Sequence, residues 1–581
     1  MCGIAGEIAL KSRAKKTTTK EMVACLSHRG PDGQGFYFSP EVMMGMRRLS
    51  IIDLSHGNQP LFNEDQSIVI VGNGEIYNYL ELNRILKRRG HVFSTDSDIE
   101  TAIHAYEEWG LQSFQKFQGM YALAIYDRAK EQVIIVRDKM GEKPVYYSEV
   151  EGNIFFASEL KSMMKIKNVS KELDYNSIDL FFRYYFIPEP KTPFKKIHKL
   201  SAGSYMLIKI KTKKITTNKY WDIADIDSSN NENPRDAIYK AFDKACDLTL
   251  RADVPVGIAL SGGIDSGAIL AHTAPKYKGK MKAFSIGYEG RPKSDERKMA
   301  KRLADKYNVK FIDIEIRASD AVNNFPKIVF DSDDPIADIA AFSIYSVSKA
   351  AHEQKIKVLL GGIGGDEIFW GYPSTIETAK GKHQYNNPNP EKTGISVSRL
   401  YGRKMKDIPK DNYLTPIKNY KKKSKSALTN LHNLWLRSNC IALNDRLSMA
   451  NSVELRSPFL DYELVEIALG SSKNMNSFLK GTKYWFKKAM KDTLPEEILN
   501  RPKQGFTPPV GRWLSGIVRS YSHLLYNGFL VQSGILHPWK AKLLFLYKNP
   551  LTAYDLYQMI LLEIWGREFV WGLSYHDLKQ Q

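Results

Sequence analysis

The second residue of the chain is a cysteine, followed by Gly3-Ile4-Ala5-Gly6, and removal of Met1 would leave a thiol and a free α-amine on one carbon. A thiol with a pKa of about 8.5 is a latent nucleophile, and an α-amine at about 7.7–8.0 is a base at neutral pH. One terminal residue then supplies both partners of a nucleophile–base pair. Four polar clusters follow: His28-Arg29-Gly30-Pro31-Asp32, Arg47-Arg48-Leu49-Ser50-Ile51-Ile52-Asp53, Asn73-Gly74-Glu75-Ile76-Tyr77-Asn78 and Ser97-Asp98-Ile99-Glu100. Taken singly, each reads as a turn or a capped helix start, and Asn73-Gly74 is a hairpin signal. A second chemistry lies in the other half, where the apolar run 254–260 leads into Ser261-Gly262-Gly263-Ile264-Asp265-Ser266-Gly267. A strand, a Gly-rich turn and a helix in succession present backbone N–H groups and a helix dipole to phosphate. No Gly-Lys-Ser/Thr follows, so this is not a Walker loop.

The elements that must position these groups differ between the halves. The first two hundred residues carry short β-rich runs such as 67–72 and 119–127, broken by Gly, Asp and Pro. Helices are predicted over 79–89 and 98–109, the second with capping chemistry at Asp96-Ser97-Asp98. This half reads as a layered α+β domain. Residues 224–234 are polar and end in Pro234, as an interdomain linker would. Beyond them an amphipathic helix is predicted over 235–250 and strands over 254–260, 282–287, 311–316 and 357–360, separated by helical stretches as a parallel α/β sheet requires. The last strand ends in Gly361-Gly362-Ile363-Gly364-Gly365-Asp366-Glu367. Ligands of such sheets bind outside the carboxyl ends of the strands, so Ser261, Ile286 and Gly361 should surround one nucleotide. Asp265 and Asp366 supply the hard oxygens that suit Mg2+, against the plainer reading of a helix cap and a turn aspartate. The C-terminal third is largely helical.

At 581 residues the chain should hold two or more domains, since single cores rarely grow beyond about 250–300 residues. Lys and Arg number 84 against 64 Asp and Glu, a balance compatible with nucleotides and other polyanions. The excess is mostly dispersed, and the dense run Lys421-Lys422-Lys423-Ser424-Lys425 reads as a solvated loop. The four cysteines, Cys2, Cys25, Cys246 and Cys440, form neither a metal-binding CxxC spacing nor a disulfide framework, which suits a reducing cytoplasm. No apolar segment approaches the ~18 residues of a membrane span and the start lacks a signal peptide's apolar core, so a soluble cytoplasmic protein without a membrane partner is expected.

The polar clusters, in this order behind Cys2, resemble the glutaminase domain of class II glutamine amidotransferases, N-terminal-nucleophile hydrolases built as a four-layer αββα sandwich. The resemblance implies that Cys2 attacks the side-chain amide of glutamine while the Asn73 side chain and the Gly74 N–H receive the oxyanion, each such donor being worth about 2.7–4 kcal/mol. It implies that Arg48 clamps the substrate carboxylate, that Leu49, Ser50, Ile51 and Ile52 belong to the same pocket, and that Glu75 and Asp98 hold the α-ammonium. The loop at 261–267 resembles the pyrophosphate loop of the ATP-pyrophosphatase superfamily, whose members activate a carboxylate as an acyl-adenylate. Its implied ATP contacts are Leu260, Ser261, Gly262, Gly263, Asp265, Ser266, Ile286, Gly361 and Gly362, with Mg2+ on Asp265 and Asp366.

Residues 443–461 and 501–506 resemble glutamine-hydrolysing asparagine synthetases, and by that resemblance Lys503 stabilises charge on the departing pyrophosphate and Arg456 helps form the back wall of the site. The likeness divides the chain into a glutaminase domain at 1–220, a linker at 221–234 and a synthetase domain at 235–581, and it implies a homodimer. The acceptor it implies is aspartate. Two departures bear on that substrate. Asparagine-making members usually carry an acidic residue where this chain has Ile363, the intermediate-forming position, and 333–341 lacks the arginine with which some members grip the aspartate carboxylate. A sugar uronate or another carboxylate, as in surface-polysaccharide relatives, is the alternative acceptor. A β-lactam-forming relative without glutaminase activity is disfavoured by the intact Cys2, Arg48, Asn73 and Asp98. Nucleic-acid binding is disfavoured because the aromatics follow core periodicity instead of interleaving with clustered cations.

Overall fold

A computed structural model describes residues 2–226, 233–292, 295–382, 395–470, 477–501, 508–546 and 551–579. Two six-stranded antiparallel sheets form the first half. One runs His198–Lys199, Tyr146–Val150, Asn153–Ala157, Cys2–Ile8, Val42–Arg48 and Gly33–Phe38 in spatial order. The other runs Lys214–Lys219, Ser204–Lys209, Gln132–Arg137, Gly119–Asp127, Ile68–Ile76 and Leu61–Phe62. Strand alternation sorts the side chains: Val69, Val71, Ala122 and Ala124 meet Ile4, Met44 and Met46 between the sheets. Ile68, Ile70, Leu123 and Ile125 face the other way onto Leu82, Leu86, Ile99 and Ile103 of the helices Tyr79–Arg88 and Asp98–Trp109. Helix Lys16–Ala24 covers the first sheet, packing Met22 and Val23 in the cluster that holds Ala5 and Ala157. The result is the αββα sandwich, and each fully buried aliphatic side chain contributes about 1.5–3 kcal/mol.

The hairpin reading of Asn73-Gly74 does not hold. Both residues continue the fully buried strand Ile68–Ile76 and pair in register with Ala122 and Tyr121. The strand is accommodated by Gly74 at φ +134°, where a Cβ would lie 2.0 Å from the Met120 carbonyl oxygen.

The second half is built on a parallel sheet ordered Lys310–Ile316, Lys282–Tyr288, Val256–Ala259, Val358–Leu360 and Glu454–Arg456. Four of these strands were expected; Glu454–Arg456 is added at the edge, inside a stretch that reads as helical. Helices Pro234–Thr249 and Ile264–Thr273 cover the sheet, with Phe242, Ala268 and Ile269 in one core with Ile258 and Leu360. The lysine run is not wholly a loop, because helix Lys423–Asn430 begins within it. That helix passes into a π-helical stretch, Leu431–Ile441, and then into helix Ala442–Met449. The C-terminal helix Ala553–Phe569 packs back onto the sandwich, placing Leu561 and Trp565 in the cluster of Leu160, Phe181 and Phe194. Residues 227–232 of the expected linker lie outside the described residues. Among the described residues, no helix is long and apolar enough to cross a membrane, and the four cysteines are free.

Candidate active sites

Cys2 starts the central strand of the first sheet and is paired across from Arg48. Its main-chain N–H donates to Asn73 Oδ1 at 3.0 Å, a bond between the two sheets. That bond fixes the carboxamide, leaving buried Asn73 Nδ2 with no hydrogen-bond partner among the described residues. A buried donor left unmade costs about 1–3 kcal/mol, so Nδ2 is suited to an acceptor that arrives with a substrate. Burial pushes the Cys2 thiol above its ordinary range, while the Leu49 main-chain N–H and the Arg48 charge act to lower it.

Arg48 shapes the pocket wall. Its terminal nitrogens donate to the carbonyls of Ile52 (3.1 Å) and Asp53 (2.6 Å) and to Asn58 Oδ1 (2.8 Å). The adjoining loop is tied down elsewhere: the Ser50 N–H donates to Asp32 Oδ2 at 2.8 Å, and the Ile51 carbonyl accepts the Asp253 N–H at 2.9 Å. The side chains of Leu49, Ile51 and Ile52 enter the apolar core of the second half together with Phe242 and Ile258.

Two carboxylates complete this pocket. Asp98 is placed by its helix, whose N-cap Ser97 accepts the Ile99 N–H, and Asp98 Oδ2 accepts the Ile76 N–H at 2.7 Å. Glu75 Oε1 stands 3.5 Å from Arg456 Nη2, while its buried Oε2 has no hydrogen-bond partner among the described residues. Burial, with Asp98 and Glu454 nearby, pushes the Glu75 carboxyl well above the usual range, and burial pushes Asp98 up to about 6. Two buried carboxyls facing too little positive charge suit an incoming ammonium.

The second site is a cavity of about 540 Å³ at the carboxyl ends of the parallel strands. Leu260, Ser261, Gly263, Asp265, Ser266, Ile286, Gly361 and Gly362 line it, as do Ile363 and Asp366. Gly262 stands aside, its carbonyl accepting Arg501 Nη1 at 2.8 Å. Ser261 Oγ accepts the Gly263 N–H at 3.2 Å and lies 2.9 Å from Ser266 Oγ, which fixes the turn at the N-terminus of Ile264–Thr273. Asp265 and Asp366 converge on a residue that sequence reasoning missed: Lys483 Nζ lies 2.5 Å from Asp265 Oδ2 and 2.7 Å from Asp366 Oδ1. The two carboxylates are thereby held together on one wall, a hard-oxygen donor set that fits Mg2+ beside the lysine.

Other expected residues fall elsewhere. Arg456 does not line this cavity; Leu455 does. Arg456 reaches Glu75 of the glutaminase half with Nη2, at 3.5 Å, and is held within its own half, where Nε meets Glu454 Oε1 at 2.5 Å and Nη1 donates to the carbonyls of Thr249 (3.0 Å) and Arg251 (2.6 Å). Lys503 lies outside the described residues. At Ile363 the side chain packs against the domain core and the carbonyl accepts Ser457 Oγ at 2.6 Å. Besides Asp366, the acidic residue of that loop facing the cavity is Glu367, buried and bonded to the Tyr372 hydroxyl at 2.6 Å. In 333–341, Asp333 and Asp334 turn to the sandwich, where they accept the N–H groups of Leu160 and Lys161 and the Tyr146 hydroxyl.

Residues 1–221 match the family described as Glutamine amidotransferase domain, and residues 237–567 match the family described as Asparagine synthase. Among curated proteins, asparagine synthetase (glutamine-hydrolyzing) 1 of Bacillus subtilis (strain 168) is 32% identical over 566 residues, spanning 88% of this chain and 88% of that one. Asparagine synthetase (glutamine-hydrolyzing) 2 of the same organism is 31% identical over 547 residues, spanning 87% of this chain and 72% of that one.

Proposed function

The chain belongs to the asparagine synthase family, and on that premise we propose that it is a glutamine-dependent ligase that amidates a carboxylate, with aspartate as the first acceptor to test. The observation that carries the reading is the pairing of two complementary sites: a buried nucleophile beside an unsatisfied Asn73 donor, and a strand-end cavity carrying Asp265, Asp366 and Lys483. In the first, the α-amine exposed by loss of Met1 takes the thiol proton and Cys2 Sγ attacks the glutamine amide carbon. Asn73 Nδ2 and the Gly74 N–H receive the oxyanion, the C–N bond breaks, ammonia leaves with the proton, and water later hydrolyses the thioester to glutamate. Glu75 and Asp98 hold the substrate ammonium, and Arg48 faces its carboxylate.

In the second site, the acceptor carboxylate attacks the α-phosphorus of ATP and pyrophosphate leaves. Ammonia then attacks the acyl carbon, releasing AMP and the amide. The turn at 261–263 and helix Ile264–Thr273 cradle phosphate. Asp265 and Asp366 would hold Mg2+, which when bound supplies charge neutralisation at the phosphates. The short strand Glu454–Arg456 supports direct passage of ammonia between the sites, with Arg456 against Glu75 and Leu455 on the nucleotide cavity. Glu367 is the group placed to serve where Ile363 cannot hold a proton. We assign the glutaminase to 1–220 and the synthetase to 235–581.

A second acceptor is favoured by one observation. The cavity lining includes Ile363 and Asp338 and no arginine from 333–341, which makes a uronate or similar carboxylate the rival to aspartate. The test measures pyrophosphate and amide product with ATP and glutamine, adding or withholding aspartate. Asparagine formed in step with pyrophosphate establishes aspartate as acceptor. Glutamine hydrolysis that aspartate leaves unchanged moves the assignment to uronates, and absence of both activities overturns the ligase reading.

A further inference from the structure

Three segments of the sandwich converge away from both sites. The loop after the strand Leu61–Phe62 brings Glu64, the turn after helix Tyr79–Arg88 brings His91, and helix Asp98–Trp109 presents His104 and Glu107 about one turn apart. One ligand-type atom from each lies within 4.8 Å of the others. His104 Nδ1 is 3.6 Å from Glu64 Oε2 and 3.7 Å from Glu107 Oε2. His91 Nδ1 is 3.6 Å from Glu107 Oε2 and 3.9 Å from Glu64 Oε1. Hydrogen-bonded pairs of these types close to about 2.7–3.2 Å. The observed separations approach the edge of a tetrahedron with metal–ligand bonds of about 2.0–2.1 Å, an edge of about 3.3 Å.

A second observation points the same way. His104 is 0% exposed, and neither ring nitrogen has a hydrogen-bond partner among the described residues. Both histidines turn Nδ1 to the common centre and Nε2 to an outer carboxylate: His91 Nε2 lies 3.2 Å from Glu108 Oε2, and His104 Nε2 lies 3.6 Å from Glu100 Oε1. Metal-bound histidines are oriented by such carboxylates. Glu100 is itself fixed by the N–H groups of Ser94 and Thr95 at 2.7 Å. The ligand carboxylates are also aimed, since Glu64 Oε1 accepts the Val92 N–H at 2.8 Å and Glu107 Oε1 accepts Asn63 Nδ2 at 3.2 Å. With Glu64 and Glu107 side chains 35% and 34% exposed, the centre is open to an ion from solvent.

We propose that Glu64, His91, His104 and Glu107 bind one Zn2+ in a structural site. Two imidazoles and two carboxylates without thiolate form a borderline donor set suited to Zn2+, and four protein ligands leave no position for catalysis. The ion joins a loop, a turn and a helix and offsets the repulsion between the Glu64 and Glu107 carboxylates that meet there. It also braces the helix whose first residue is Asp98, about 9 Å along the axis from His104.

The test uses the full-length chain, stripped with EDTA and carrying Cys2→Ala to remove the reactive thiol. It is titrated with CoCl2 and then ZnCl2 while visible absorption and melting temperature are followed. One equivalent of Co2+ should give ligand-field bands that Zn2+ abolishes, and Zn2+ should raise Tm. His91→Ala and Glu107→Gln each remove a direct ligand and should weaken Co2+ binding by at least the roughly 10- to 100-fold that loss of an outer-shell partner costs. Glu107→Gln preserves shape, so it retains the test should His91→Ala disturb folding. Failure to bind one equivalent at micromolar concentration, or equal binding by Glu107→Gln and its parent, overturns the site.

Discussion

At Cys2, two orientations decide the chemistry: a main-chain N–H that fixes the Asn73 carboxamide, and a Leu49 N–H directed at the sulfur. Cys2→Ala removes the nucleophile without touching the nucleotide cavity. It is expected to abolish glutamine-dependent pyrophosphate release and to spare release driven by ammonium chloride; loss of both activities would contradict separate sites. The paired carboxylates predict a pH dependence. Asp98 is pushed up to about 6 by burial, and only its ionised form attracts the glutamine ammonium, so KM for glutamine should rise as pH falls through about 6 and level off above about 7. A flat KM between pH 5.5 and 7.5, read from glutamate formation, would remove Asp98 from the ammonium site. Residues of this kind were legible because their types are diagnostic: a cysteine at position 2, a lone Asn-Gly-Glu, a Ser-Gly-Gly after an apolar run. Lys483 was not, because 480–488 holds four lysines and only tertiary packing decides that one of them turns in between Asp265 and Asp366.

At the scale of elements, burial overrode local turn chemistry. Asn73-Gly74 has the composition of a hairpin, yet its flanks are apolar on both faces and are claimed by the opposite sheet and by helix Asp98–Trp109. Most of the predicted strands and helices match to within a residue or two, since alternation and 3.6-residue spacing are local properties; the run 67–72 is the exception, its strand continuing to Ile76. Glu454–Arg456 was not, being three residues long with two of its side chains charged. It exists because Glu454 and Leu455 can pair with Val358 and Leu359, a fact about partners. Gly74→Ala tests the strand reading. The substitution must force a Cβ against the Met120 carbonyl at a φ that favours glycine, a strain of about 1–3 kcal/mol or more. A fall of several degrees in melting temperature is expected, together with loss of glutaminase turnover. An unchanged melting curve would mean that the strand bends elsewhere.

Across the whole molecule, the halves are joined by buried charge as well as by the apolar core. Arg29 is fully buried, donating through Nε to the Cys2 carbonyl (3.1 Å) and through Nη1 to Glu159 (2.8 Å) and Asp445 (2.9 Å). Lys143 also reaches Asp445, at 3.2 Å. Asp445 belongs to helix Ala442–Met449, whose preceding residues Leu443 and Asn444 line the nucleotide cavity. One helical turn therefore touches the nucleotide site on one side and, through Arg29, the nucleophile's own carbonyl on the other. A ligand that shifts this turn acts on Cys2 only if it binds the two positions of the turn unequally. Removing the carboxylate outright would break two buried ion pairs, taking Asp445 from Lys143 and leaving Arg29 to Glu159, at a cost of about 3–5 kcal/mol; Asp445→Asn keeps the shape and one acceptor. ATP together with the acceptor is expected to raise glutamine hydrolysis by the parent enzyme, and Asp445→Asn to lose most of that increase while holding ammonia-dependent synthesis within about twofold, because it leaves Leu443, Asn444 and the Asp265–Lys483–Asp366 group in place. The readout is glutamate formed per pyrophosphate released, with and without nucleotide. Full stimulation retained by Asp445→Asn would confine Arg29 to a packing role at the interface.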